Sequence, residues 1–297
     1  MAEPDELYTL RAQYWLGHYR LALEEGKAIS RRPMAPHLKT EREEFILRAH
    51  LALGEYDKVL KETQSTTQPG LKALNIHASY LTSPDKEGII STLKANLASP
   101  DCANSTSFQQ TACHIFLEHG LTREALQCVH LGISMEHIAL SLQIYLKINR
   151  LDLAENQLRL LKQADEDSIL TQLCSAYLSI ATGRSAIHDA THVLSMLSEQ
   201  YGPSVALLNL SAVAQMTAEN YEAAEGILEE AAKEEDNTAD TLINTIVCAL
   251  NMGKGLGSIA STIGTLKNKY PYHPFVEGLD RVDSAFDRES IKYAVKA

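Results

Sequence analysis

The chain has 297 residues, of which 45% are hydrophobic and 22% are charged, and it carries a formal net charge of −11 at pH 7. This composition excludes a disordered chain, and the acidic balance excludes a typical nucleic-acid binder, which needs clustered Lys and Arg. No stretch approaches the roughly 18 consecutive apolar residues of a membrane-spanning helix, so we expect any membrane contact to be indirect.

The cysteines and the N-terminus indicate the compartment. Five cysteines are scattered singly along the chain, and Met1–Glu6 has no basic segment followed by an apolar one, as a secretory signal would. An odd, dispersed set of cysteines is typical of the reducing cytosol, where these side chains fill small spaces in a core. We therefore expect a cytoplasmic protein.

In chain order, helical stripes separated by prolines and short turns predict about eight helix pairs and one final helix. The pairs are predicted to begin near Asp5, Thr40, Pro69, Ser105, Met135, Asp167, Pro203 and Thr238, and the final helix runs from about Pro274 to Tyr293. Thr40 with Glu43 has the spacing of a capping box that opens a helix, and Asp152 with Glu155 resembles a second one.

Short turns separate the two helices of most pairs. Gly17, Gly54 and Gly120 lie in such turns, where a residue in the left-handed conformation can end the first helix. In Asn149-Arg150-Leu151 and Glu219-Asn220-Tyr221, an asparagine is expected to take that role.

A small residue followed by two further residues at i+4 and i+7 recurs along the chain, which predicts a repeat. The triplets are Ala125, Val129 and Gly132 (a degenerate copy); Ala154, Leu158 and Leu161; Ala190, Leu194 and Leu197; and Ala224, Leu228 and Ala231. The leading alanines are 29, 36 and 34 residues apart, close to the roughly 34-residue period of the tetratricopeptide repeat (TPR). We predict an all-α, right-handed TPR-like solenoid of helical hairpins. It forms one domain over residues 1–297, with a C-terminal capping helix within 273–297.

Candidate catalytic patterns are weak. His188 and His192 lie four residues apart and could share a metal, but no third ligand has a defined place. Cys113 and His114 are neighbours that would point about 100° apart on a helix, so they do not form a nucleophile–base pair. We therefore predict a non-enzyme without cofactor or metal, and a metal-dependent enzyme built on the two histidines remains the alternative.

Several ordered segments resemble the epsilon-subunit family of the coatomer vesicle coat. They are Asp5-Glu6-Leu7, Tyr14–Tyr19, Leu151-Asp152-Leu153-Ala154, Asp165-Glu166-Asp167, Thr171-Gln172-Leu173, Ala181-Thr182-Gly183, Tyr221–Gly226, His273-Pro274-Phe275, Phe286-Asp287-Arg288 and Tyr293-Ala294. The resemblance implies a non-catalytic, cytosolic coat subunit, peripheral on Golgi membranes and coated vesicles, which serves Golgi-to-endoplasmic-reticulum transport. It also implies a partner, the C-terminal domain of the coatomer alpha subunit.

A TPR-like solenoid binds partners along a groove lined by the first helix of each pair. With Leu142 as a core position, we predict groove-facing residues on three such helices. They are Gln110, His114 and Leu117; Ala139, Gln143 and Leu146; and Asn209, Val213 and Met216. The alternative for each is burial between repeats. A rival function is a TPR adaptor or co-chaperone that clamps the carboxylate of another protein's tail, but these nine positions include no Lys or Arg.

Overall fold

The computed structural model describes residues 5–183, 185–234 and 238–293. Its regular elements there are α-helices and one 3-10 turn at Ile29–Arg31, and these described residues form no strand. The chain divides into two compact units, unit 1 (Met1–Val193) and unit 2 (Leu194–Ala297). Whether the whole of 1–297 is one solenoid domain stays a prediction.

Unit 1 is a series of helices in which neighbours along the chain pack as hairpins. Its helices are α1 (Tyr8–Trp15), α2 (Tyr19–Ala28), α3 (Pro36–Ala52), α4 (Tyr56–Thr63), α5 (Pro69–Thr82), α6 (Lys86–Leu97), α7 (Pro100–Ala103), α8 (Thr106–Glu118), α9 (Thr122–Val129), α10 (Met135–Lys147), α11 (Leu151–Ala164) and α12 (Ile169–Thr182). The next helix, α13 (Ile187–Tyr201), contains the boundary between the units.

Unit 2 continues the same construction. Its further helices are α14 (Val205–Thr217), α15 (Tyr221–Glu234), α16 (Ala239–Asn251), α17 (Leu256–Lys269) and α18 (Pro274–Tyr293). The predicted capping helix corresponds to α18, and residues 294–297 of that prediction lie outside the described residues. Val276 of α18 is 2% exposed and joins the core formed by α16 and α17.

The predicted fold class, an all-α TPR-like solenoid, is confirmed. The helices fall into the eight expected pairs, and α5 and α10 begin at the predicted residues Pro69 and Met135. The leading alanine of each triplet is fully buried, as a close approach of two helices requires: these are Ala125, Ala154, Ala190 and Ala224. The degenerate triplet is incomplete, because α9 ends at Val129 and Gly132 lies in the following turn.

Six of the eight turns within pairs share one backbone arrangement. In the turn after α3, Gly54 N–H donates to Leu51 O at 3.0 Å and Glu55 N–H donates to His50 O at 2.9 Å. This is a Schellman motif, in which a left-handed residue satisfies the last carbonyls of a helix. The same two bonds recur at six turns, whose left-handed residues are Gly17, Gly54, Gly120, Asn149, Glu219 and Gly253. In the turn before α15 the prediction that Asn220 takes this conformation is therefore wrong, since the left-handed residue is Glu219.

Both predicted capping boxes are wrong. Helix α3 begins at Pro36, whose fixed φ suits the first turn, so Thr40 lies inside the helix and its hydroxyl donates to Pro36 O at 3.3 Å. Asp152 is already the second residue of α11, and its carboxylate accepts two bonds from Arg150, at 2.8 and 2.7 Å. The short helix α7 is an element that the sequence did not predict.

Candidate partner-binding groove in unit 1

Six of the predicted groove residues lie in unit 1, on α8 and α10. Four of them line one cavity of about 170 Å³: Gln110, His114, Ala139 and Gln143. Leu117 and Leu146 are only partly buried, but each packs against a hydrophobic core beside the groove. The structure therefore brings the four together, and partner contact by any of the six stays a prediction.

The other three predicted residues lie on α14 of unit 2. Asn209 is buried, and its amide donates to Val205 O at 2.9 Å and to Thr241 Oγ1 at 2.8 Å, while it accepts from Asn244 Nδ2 at 2.9 Å. These bonds tie α14 to α16, so the side chain already has a structural role. Val213 is partly buried and Met216 packs against the core of this pair. Binding by these three also stays a prediction.

Three cavities of unit 1 meet around Arg48 and Gln110. The cavity just described is bordered by Tyr14 and Trp15 of α1. A second, of about 200 Å³, is lined by side chains of α3, α5 and α8, including His114. A third, of about 460 Å³, lies at the N-terminal ends of α3, α8 and α10. We call these three cavities together the groove of unit 1. Arg48 lies in the middle of this groove.

Arg48 forms a largely buried ion pair with Glu136 of α10. Its Nη2 lies 2.8 Å from Glu136 Oε1 and its Nη1 lies 3.3 Å from Oε2, and the two side chains are 15% and 19% exposed. The guanidinium also lies 4.6 Å from the ring centre of Tyr14 and 4.5 Å from that of Phe45. Such stacking on aromatic rings adds to the attraction and orients the planar group.

The electrostatic surroundings set the charges of Glu136 and His114. Burial alone would raise the pKa of Glu136, but the charge and hydrogen bonds of Arg48, with further bonds from Trp15 and Gln110, lower it to about 2. Burial, aided by the charge of Arg48, lowers the pKa of His114 to about 4. At neutral pH the charges of Arg48 and Glu136 therefore cancel, and the imidazole of His114 is uncharged.

This groove suits a polypeptide segment held by apolar contacts and hydrogen bonds. It offers aromatic faces from Tyr14 and Trp15, polar groups from Gln110 and Gln143, and no net charge at its centre. A carboxylate clamp needs a cation that is available to the ligand, and Arg48 is already neutralised by Glu136. The co-chaperone alternative therefore gains no support from the described part of unit 1.

Comparison with known proteins gives the family. The family model described as "Coatomer epsilon subunit" matches residues 3–294. The chain belongs to the coatomer epsilon subunit family. It is 36% identical to coatomer subunit epsilon-1 of Arabidopsis thaliana, with 99% of both chains covered. It is 31% identical to coatomer subunit epsilon of Dictyostelium discoideum, with 95% of this chain and 97% of that protein covered.

Solved structures agree on the fold alone. A tetratricopeptide repeat protein from Parabacteroides merdae superposes with a TM-score of 0.57 at 12% identity, covering 92% of this chain and 95% of that chain. A chain in the structure of the APC/C hetero-tetramer Cut9-Hcn1 gives 0.60 at 12% identity, covering 92% of this chain and 54% of that chain. The family match indicates a coat component, and the solved structures support the TPR-like fold.

In this member of the epsilon-subunit family the candidate catalytic residues lie on α8 and α13. His188 and His192 are both exposed on α13, and no group of three metal-ligating side chains occurs among the described residues. Burial raises the pKa of Cys113 to about 12, so its thiol does not ionise at neutral pH. None of the described helices has the length and apolarity needed to span a membrane.

The sequence analysis missed the residues at the centre of the groove. Trp15, Arg48 and Glu136 come from α1, α3 and α10, and each pairwise contact spans 88 or 121 residues. No local spacing predicts such contacts. The one available signal was composition, since Trp15 is the only tryptophan and sits in a segment that resembles the epsilon family.

Proposed function

We propose that this chain is a non-catalytic structural subunit of the coatomer coat, which binds and stabilises the C-terminal domain of the alpha subunit. In this role it is cytoplasmic, lies on Golgi membranes and coated vesicles through its partners, and serves Golgi-to-endoplasmic-reticulum transport. The observation that carries the proposal is the match to the epsilon-subunit family over residues 3–294.

The groove of unit 1 supports a protein partner. Its lining combines aromatic rings, amides and an internally neutralised ion pair, which is the mixture found at the centre of protein interfaces. Gln143 is the groove residue best placed to meet a partner, because its side chain is exposed and lines the cavity.

A binding experiment with matched variants tests this proposal. The wild-type chain should capture the other coatomer subunits from cytosol, led by alpha, and should bind the purified alpha C-terminal domain. Gln143→Arg puts a bulky cation on the cavity wall without disturbing a core, so we expect at least about tenfold weaker binding. The control is Gln163→Arg, the same change at an exposed position of α11 that borders none of the cavities.

Two results would contradict the proposal in different ways. If the wild-type chain captures no coatomer subunit, the assignment of partner is wrong. If both variants bind the alpha domain as tightly as wild type, the partner is right and the groove of unit 1 is not where it binds. Leu146→Asp is a poorer probe, because Leu146 packs against a core and its loss of binding would be confounded with unfolding.

A further inference from the structure

Trp15 connects the two ends of unit 1. Its side chain packs against the core of its own N-terminal repeat and also against the core built by α10, α11 and α12. Its indole Nε1 donates to Glu136 Oε1 at 2.9 Å, across 121 residues of sequence. Helix α1 contacts α12 as well as its neighbours α2 and α3. The N-terminal repeat of unit 1 therefore meets the core of α10, α11 and α12 at this side chain.

Arg48 holds the acceptor of this hydrogen bond in place. Arg48 binds both carboxylate oxygens of Glu136, and Tyr14 and Phe45 flank the guanidinium. A hydrogen bond to an ionised, oriented carboxylate is stronger than one between neutral groups. The described contact between α1 and α10 consists of this hydrogen bond and the apolar packing of the indole. Each repeat also has buried core residues of its own, Leu7 and Leu10 on one side and Leu142 and Leu161 on the other.

The closed arrangement leaves little room in the part of the groove beside α1. The two cavities that Tyr14 borders measure about 200 and 170 Å³, which is space for roughly six water molecules each at about 30 Å³ per water. Pockets that hold even a drug-sized ligand are larger, at roughly 300–1,000 Å³. The third cavity, of about 460 Å³, is not lined by α1. A polypeptide segment therefore needs α1 to move before it can occupy the part of the groove beside Tyr14.

We propose that Trp15 is a latch: it holds α1 across the groove of unit 1 in the partner-free chain, and a partner segment enters when this contact releases. The inference rests on the proposed function only for the identity of the entering segment. The latch itself is a property of the isolated chain and is measurable without any partner.

The first experiment uses Trp15 as its own reporter, since the chain has no other tryptophan. Glu136→Gln keeps the size of the acceptor and removes its charge. We expect the Trp15 fluorescence of this variant to shift to the red and its quenching by acrylamide to rise at least about twofold, because the indole spends more time in water. The control is Glu229→Gln, the same change at an exposed position of unit 2, with unchanged fluorescence and quenching.

The second experiment measures entry. If opening precedes binding, the association rate constant of the purified alpha C-terminal domain should rise about tenfold in Trp15→Phe, in proportion to the open population. Glu136→Gln also leaves the charge of Arg48 unpaired in the groove, so only its fluorescence is compared. Trp15→Phe removes the N–H donor and part of the indole's packing, and it leaves Arg48 paired with Glu136, so the charge of the groove is unchanged. Thermal unfolding followed by circular dichroism checks that both variants are folded.

The outcomes separate the latch from the proposed function. Unchanged quenching in Glu136→Gln would overturn the latch, and so would an association rate of Trp15→Phe equal to or below that of wild type. If the alpha domain binds neither wild type nor variants, the proposed function fails; the quenching comparison then decides the latch alone, a rise supporting it and equality refuting it.

Discussion

At the scale of single residues, one backbone conformation recurs at six turns, and the amino acid that adopts it varies. Glycine occupies four of these positions, Asn149 and Glu219 occupy the other two, with φ of 57° and 65°. A side chain in the left-handed region costs roughly 1–2 kcal/mol, less for asparagine, while glycine adopts it without that cost. At Glu219 the turn therefore holds a residue in a conformation that its side chain disfavours.

We expect Glu219→Gly to raise the free energy of unfolding by about 1 kcal/mol and Tm by about 2 °C. Thermal and urea unfolding followed by circular dichroism measure both. Gly54→Ala is the reciprocal change, because an added Cβ at Gly54 would meet nothing within 4 Å and only the conformation opposes it. It should lower the unfolding free energy by a similar amount; equal stability of Glu219→Gly and wild type would contradict the argument.

His114 makes the stability of unit 1 sensitive to acid. Burial, with the nearby charge of Arg48, lowers its pKa to about 4 from an ordinary value of 6.5. Between those pH values the unfolded chain binds a proton that the folded chain does not, so stability present above pH 6.5 falls as the pH drops to 4. The loss amounts to about 3 kcal/mol.

His114→Gln should therefore flatten the pH dependence of unfolding between pH 6.5 and 4. Urea unfolding at closely spaced pH values measures the slope. His188→Gln is the control, since His188 is exposed on α13 and its replacement should leave the wild-type slope unchanged. A His114→Gln chain that loses stability in acid as steeply as wild type would show that another group is responsible.

At the scale of helices, apolar stripes and prolines were enough to predict the pairs, because every pair buries one face against its neighbour. The errors lie at helix ends. Thr40 and Asp152 have capping spacing, yet Pro36 starts α3 earlier and Arg150 takes the Asp152 carboxylate. A capping motif competes with other partners for the same side chain, and the winner depends on contacts that a local pattern does not contain.

The terminal helix α18 has a docked end and an exposed end. Val276 is 2% exposed within the last core, whereas Phe286 is 71% exposed. Val276→Ala should cost about 2 kcal/mol through lost burial and a small cavity, and Phe286→Ala should stay within about 0.5 kcal/mol of wild type. Denaturant unfolding of the two variants measures the contrast. Similar losses at both positions would mean that the second half of α18 also contributes to stability.

At the scale of the molecule, the sequence predicted part of the groove and missed its centre. Spacing within α8 and α10 placed Gln110, His114, Ala139 and Gln143 on a shared face, and they do line one cavity. The contacts of Glu136 with Trp15 and Arg48 depend on how successive repeats bring distant helices together. Periodicity reports which face a helix buries, and says nothing about which distant helix returns to meet it.

A partner that binds only the folded chain must stabilise it by mass action, so the complex should unfold later than the isolated chain. With the alpha C-terminal domain at about 100 times Kd, the expected gain is about 2.7 kcal/mol. Thermal unfolding followed by Trp15 fluorescence measures it on unit 1, where this single tryptophan lies. Gln163→Arg should gain as much as wild type and Gln143→Arg less at the same partner concentration. An equal Tm for the isolated wild-type chain and for its mixture with saturating partner would contradict binding to the folded state.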